Sequence, residues 1–263
     1  MNLILSAAAG YNWSQLEIFI KSLRKCYDEK VVLILNDPDS ELIKKLNEFN
    51  IEFIQTDIVP KESILTRHSY YLKYLENNRE FKQVFLTDSR DVFFQNNPFQ
   101  FNYKNYINFF LEDEMIKNCS VNSKWIMRTV GKQELNKINN NYISCCGTVI
   151  GKFSNILNYC EEMKNHIARF PYKRSLHSKL FGRKHLTHDQ GIQNYLVYSG
   201  TLKNIGFYNN QNGNVATLHT AKSLKFNYKN RLVNAKEEEY AVVHQYDRFN
   251  EHFKNFIKEI KDL

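Results

Sequence analysis

Two aspartates stand three residues apart in Phe85-Leu86-Thr87-Asp88-Ser89-Arg90-Asp91-Val92-Phe93-Phe94, where one apolar run stops and the next begins. Carboxylates at a strand end that must turn can converge on one divalent cation, and hard oxygen donors with open positions suit Mg²⁺ or Mn²⁺ holding a diphosphate. A turn cap at Asp88 and an ion pair between Asp91 and a neighbouring arginine would give the same pattern, so further residues are needed to decide. Two later segments supply them. Thr187-His188-Asp189-Gln190-Gly191 opens a predicted helix, and Val242-Val243-His244-Gln245-Tyr246-Asp247-Arg248 follows a short predicted strand.

These three segments, in this order and together with Val92-Phe93-Phe94-Gln95-Asn96-Asn97-Pro98-Phe99 and Ile143-Ser144-Cys145-Cys146-Gly147-Thr148-Val149-Ile150-Gly151, resemble the nucleotide-sugar-dependent glycosyltransferases of the GT-A fold, of the kind that builds bacterial or viral polysaccharides. The resemblance runs from Leu3 to Arg248. It implies that Asp91, with Asp88, is the DxD pair that holds Mn²⁺ or Mg²⁺ against the donor diphosphate. Asp-Ser-Arg-Asp is one residue longer than D-x-D, so either Asp88 or the Ser89 backbone takes the first place. His244 matches the late histidine that completes the metal shell as neutral imidazole; a satisfied structural histidine is the alternative.

Asp189 and Gln190 match the pair at the rim of the sugar pocket, where a carboxylate and an amide meet sugar hydroxyls and stabilise positive charge at the anomeric carbon. A helix N-cap is the other reading of Asp189. The resemblance further implies donor-nucleotide contacts at Ala8, Ala9, Asn12, Arg67, Asp88 and Arg248, and acceptor-side contacts at Cys146, Gly147 and His188. Close packing explains Ala8 and Ala9 as well, and an exposed cation explains Arg67 or Arg248. The activity implied is transfer of a hexosyl-type sugar, with UDP the first choice of donor, to a glycan or lipid-linked hydroxyl with retention. The alternatives from other classes are a basic α/β module that binds nucleic acid without catalysis and a metal-dependent nucleotide hydrolase; on the glycosyltransferase reading no nucleic-acid partner is expected.

The elements that must carry these residues alternate. Apolar runs of strand length at Leu3–Ala9, Val31–Leu35, Ile51–Ile54 and Gln83–Thr87 are separated by segments of helical period at Ser14–Tyr27, from Asp39-Ser40 to Phe49, and from Ser63 onward. Gln83–Thr87 is apolar throughout and is expected to be central. Strands are expected further on at Tyr106–Leu111, Ile143–Ile150, near Ile205, Val215–Leu218 and Ala241–Val243, and helices at Ile156–Ile167, Asp189–Tyr198 and Asn250–Leu263. This predicts an α/β fold with a mixed, mostly parallel central sheet flanked by helices. The expected organisation is one GT-A-like domain over 1–263, with a Rossmann-like nucleotide-binding half to about residue 100 and an acceptor half after it.

Composition narrows the classes. The 263 residues are 43% hydrophobic with 9 Gly and 4 Pro, which excludes disordered and collagen-like chains and leaves no long linker. Lys and Arg total 36 against 28 Asp and Glu, a net charge of +8, so a polyanionic partner or a biased composition is implied. Part of the charge lies in a basic loop over 171–186, which could rest on an anionic membrane or guide an acidic acceptor. The 5 cysteines contain no C-x-x-C pair, and together with an N-terminus that lacks a basic n-region they suggest a cytoplasmic protein, peripheral at most to a membrane. No G-x-G-x-x-G or Walker loop is present, which disfavours dinucleotide enzymes and P-loop ATPases.

Overall fold

The structure is a computed structural model and describes residues 1–169 and 189–263; the expected basic loop and His188 lie outside the described residues. Ten strands occur in it: β1 Leu3–Ala7, β2 Lys30–Leu35, β3 Glu52–Gln55, β4 Gln83–Thr87, β5 Val92–Phe94, β6 Ile107–Met115, β7 Tyr142–Lys152, β8 Ile205–Tyr208, β9 Val215–Thr217 and β10 Val242–His244. The described helices are α1 Trp13–Arg24, α2 Ser40–Glu48, α3 Ser63–Asn77, α4 Ser120–Val130, α5 Lys132–Ile138, α6 Phe153–Arg169, α7 Asp189–Tyr198 and α8 Asn250–Lys261.

Seven strands form the main sheet in the order β3-β2-β1-β4-β7-β6-β8, with β7 running against the other six. The expected α/β class, the mostly parallel mixed sheet and the central place of β4 are therefore observed. Period-two alternation divides each inner strand between two cores. Leu3 and Leu5, Val32 and Ile34, and Val84 and Leu86 face a core with α3, α6 and α7. Ile4, Leu33 and Phe85 point the other way, into a core with Trp13, Leu16 and Phe19 of α1 and Leu42 and Leu46 of α2. Helix starts follow from local chemistry. Asp39 Oδ1 accepts from Leu42 N at 2.7 Å, and Asn12 and Gln15 form a reciprocal capping box at α1.

Chain order places a crevice. β1 is followed outward by β2 and β3, and the chain then returns to lay β4 on the other side of β1. In open α/β sheets ligands gather at such a reversal, beyond the carboxyl ends of the strands. Those ends are Ala7 and Thr87, so the residues that follow them, up to Tyr11 and from Asp88 on, border the crevice.

A second sheet of three strands, β5-β10-β9, stands beside the first. The tetrapeptide Asp88 to Asp91 is the whole link between β4 in one sheet and β5 in the other. β10 runs antiparallel to β5 with His244 opposite Val92. α8 covers this sheet, its Phe253 and Phe256 rings lying 5.2 and 4.4 Å from Phe93. Burial of these aromatics draws the C-terminal segment against the acidic corner. No described helix is long and apolar enough to cross a membrane, and the five cysteines are free thiols.

Candidate metal centre

Three elements far apart in sequence meet at the corner. Asp88 and Asp91 come from the link between sheets, and His244 ends β10; one potential ligand atom from each lies within 4.8 Å of the others. His244 Nε2 is 3.4 Å from Asp88 Oδ2 and 3.8 Å from Asp91 Oδ1. The ring is 1% exposed, and Nε2 makes no hydrogen bond of acceptable geometry. Its other nitrogen, Nδ1, lies 3.5 Å from Cys145 Sγ, a buried thiol on β7. That contact fixes the ring so that Nε2 faces the carboxylates. The turn after His244 is held in left-handed geometry at Gln245 (φ 64°), and Gln245 N donates to Asp91 O at 2.7 Å.

Space at the corner is kept by Gly147. Asp88 N donates to Gly147 O at 2.7 Å, and a Cβ on Gly147 would stand 2.2 Å from His244 Cε1 and 2.5 Å from Asp88 Oδ2. A side chain at 147 would fill the space between the ligand atoms.

Charge is arranged around the two carboxylates unequally. Burial pushes Asp88 up, but the Arg67 guanidinium and then His244 outweigh it and hold the carboxyl below the ordinary range. Asp91 is pushed up, by burial first and by Asp88 and Asp247 in addition, with His244 opposing. For His244 burial acts downward, while the Cys145 sulfur, Asp88 and Asp91 raise it, and the net is upward. Two carboxylates and, once its proton is lost, the His244 imidazole make a set of two oxygen donors and one nitrogen donor that could hold a divalent cation such as Mn²⁺ or Mg²⁺.

Arg67, on α3, joins this group to the start of α7. Its guanidinium pairs with Asp88 and with Asp189, and it donates to Cys146 O at 3.1 Å. Asp189 is 4% exposed, and its Oδ1 accepts from Gln190 N at 2.8 Å. Gln190 ties the neighbouring strands together: Oε1 accepts from Cys146 N at 3.3 Å, and Nε2 donates to Glu112 Oε1 at 3.1 Å and Asn122 Oδ1 at 3.0 Å. A second group of possible ligands, His68, Cys146 and Asp189, lies beneath. Its charge is already balanced by Arg67, and burial followed by Arg67 pushes the His68 imidazole well below its ordinary range.

Of the residues expected at the site, Arg67, Asp88, Asp91, Cys146, Gly147, Asp189, Gln190 and His244 line one pocket of about 230 Å³, together with Ala7, Tyr11, Ser89 and Arg90. Ala8 and Ala9 pack in the two cores, and the Asn12 side chain is engaged in the capping box. Arg248 is exposed, its guanidinium 3.9 Å from Asp247. The cation nearest Asp91 in the link is Arg90, 3.8 Å from Asp91 and 3.2 Å from Asp247.

Sequence reading passed over Tyr11, Ser89, Cys145, Glu112 and Asp247 as side chains of this region. Asp247 stood inside a segment already singled out. Glu112 gave no such signal: it ends the apolar run Phe109-Phe110-Leu111 as the first of three successive acids, Glu112-Asp113-Glu114, and nothing in the sequence marks which of them is buried. Compared with models of known protein families and with curated proteins, the sequence matches none.

Proposed function

We propose that the chain is a metal-dependent glycosyltransferase of the GT-A fold that moves a sugar from a nucleoside-diphosphate donor, UDP-linked in the first instance, to a hydroxyl of a glycan or lipid-linked acceptor with retention. The observation that carries this reading is the meeting of Asp88, Asp91 and His244, from segments 153 residues apart, at the crevice where the sheet order reverses. The unbonded Nε2 of His244 and the space above Gly147 fit a cation between them.

Asp88, Asp91 and His244 would hold Mn²⁺ or Mg²⁺ there, and the ion would supply positive charge against the diphosphate of the leaving group. Small residues at the end of β1 let a nucleotide approach beside Tyr11, and Arg90 stands over the same side of the pocket to meet a phosphate oxygen. In the transfer the bond from the anomeric carbon to the diphosphate oxygen breaks, and a bond to the acceptor oxygen forms on the same face. The acceptor proton passes to the departing phosphate. Asp189, fixed by Arg67 and by the Gln190 amide, presents a carboxylate to the positive charge that develops on the sugar. Gln190 has both N–H donors engaged, so it offers a sugar only the free lone pair of Oε1.

Titration calorimetry with UDP, GDP, ADP and CDP, each with and without Mn²⁺, tests the reading. A nucleoside diphosphate is expected to bind in a Mn²⁺-dependent way, and Asp91→Asn is expected to weaken it by at least about tenfold. Absence of Mn²⁺-dependent binding for all four overturns it. Salt-sensitive binding of single-stranded DNA unaffected by Asp91→Asn points to the nucleic-acid module, and diphosphate release that no added saccharide accelerates points to a hydrolase.

A further inference from the structure

A larger cleft of about 450 Å³ opens between β6 and the segments that follow β8 and β9. That volume lies in the range of small-ligand sites, roughly 300–1,000 Å³. Glu112 lines the cleft and is 1% exposed. One carboxylate oxygen accepts from Gln190 Nε2 at 3.1 Å, and the other, Oε2, is buried without a partner. Buried polar atoms are almost always hydrogen-bonded, so an orphaned carboxyl oxygen on a residue that lines the cleft calls for a hydrogen-bond partner from a ligand.

The rest of the lining restricts what that ligand is. Leu218, Leu224 and Tyr240 give the cleft apolar surface, while Gln211 and Ser223 add polar groups near its mouth. Glu112 and Asp113 are matched by Lys222 and Lys225 on the same lining, so neither sign of charge dominates. A phosphate would bring its charge beside Glu112 and Asp113 while Lys225 is already paired with Glu237, and a purely apolar ligand would leave Oε2 unpaired. A molecule with C–H faces and hydroxyls satisfies both surfaces.

We propose that this cleft is a second ligand site of the chain, that it takes a neutral saccharide, and that Glu112 hydrogen-bonds a sugar hydroxyl, which pairs with a carboxylate or a carboxylic acid alike. Its use as the acceptor's seat rests on the glycosyltransferase reading; occupancy by a saccharide does not. The hydrogen bond from Gln190, which lines the metal pocket, to Glu112, which lines the cleft, links the two sites.

Saturation-transfer NMR in EDTA, without nucleotide, tests the site separately from the metal centre. The probes are methyl α-glucoside, methyl α-galactoside, N-acetylglucosamine, glucosamine, maltose, cellobiose and lactose. At least one neutral sugar is expected to bind, with a dissociation constant on the order of millimolar. Ser223→Trp, at an exposed position on the cleft, is expected to abolish the signal without disturbing the interior. Glu112→Gln, checked for folding by circular dichroism, is expected to weaken it by roughly tenfold, and Asp91→Asn to leave it unchanged. No signal from any sugar, a preference for glucosamine alone, or binding that survives Ser223→Trp or Glu112→Gln overturns the proposal. Loss in Asp91→Asn also overturns it, by assigning the sugar to the metal pocket. Failure of nucleotide binding with sugar binding intact removes the transferase reading and leaves this site standing.

Discussion

Arg67 is the residue on which the charge pattern turns. By pairing with both Asp88 and Asp189 it keeps one carboxylate of the proposed metal pair ionised and fixes the carboxylate of Asp189 at the start of α7. Sequence spacing could not reveal this, because the three residues are 21 and 122 positions apart in those bonds. Glu112 shows the opposite behaviour. Burial raises its carboxyl from 4.5 to about 7, against smaller opposing effects of the Gln190 amide and His244. Below about pH 4.5 the group is protonated in folded and unfolded chains alike. Between about 4.5 and 7 the folded chain holds the proton and the unfolded chain has lost it, so stability falls as pH rises through that window and is level beyond it. The loss is at most about 3 kcal/mol for a shift of that size. Urea denaturation of the wild type and of Glu112→Gln at intervals from pH 4.5 to 8, with EDTA present, should show a declining difference confined to that window. A difference that stays constant with pH would refute the assignment.

At the scale of elements, β7 does most of the positioning. It runs against its neighbours, and it delivers Cys145 to the His244 ring, Cys146 to Arg67 and Gly147 to the space between the ligands. Its apolar run over Ile143–Ile150 was plain in the sequence, as were β1, β2, β4 and the helices beside them, because each has a clear period and a burial face. α4 and α5 were not legible. The buried residues of α4 are Asn122, Ile126 and Thr129, too few apolar positions to make a stripe. β5 was legible only as a short apolar run after the aspartates; that its three residues belong to a different sheet was not. Gly147→Ala tests what β7 contributes. The added Cβ meets His244 and Asp88 at distances no side chain tolerates, so the ring or the carboxylate must move. We expect a stability loss of about 1–3 kcal/mol and loss of Mn²⁺-dependent nucleotide binding of at least about tenfold. Binding at wild-type strength would mean that the ligand geometry does not depend on the space over Gly147.

The whole molecule carries a net charge of +8, yet its crevice gathers Asp88, Asp91, Asp189 and Asp247 against Arg67 and Arg90. An acidic centre in a basic chain is suited to a cation and an anion bound together, and the overall charge alone could not distinguish that from a nucleic-acid surface. The candidate site was legible as three separate segments. Their convergence was not, because it depends on β10 pairing with β5 through three-residue strands, a long-range register that no local pattern encodes. A divalent cation held by Asp88, Asp91 and His244 would tie the C-terminal segment to the main sheet and should therefore stabilise the fold as a whole. At a free concentration one hundred times its dissociation constant, a ligand specific for the folded state contributes about 2.7 kcal/mol, or about 5–10 °C in melting temperature for a chain near this size. Mn²⁺ is expected to raise the midpoint of the wild type by that order in differential scanning calorimetry, and Asp91→Asn to remove most of the rise. Because a cation held at this corner would clamp β10, hydrogen exchange at Val242, Val243 and Gln245 should slow with Mn²⁺ more than exchange at Leu3–Leu5 of β1. An equal slowing at both places, or a melting shift that Asp91→Asn leaves intact, would mean that the cation acts elsewhere on the chain.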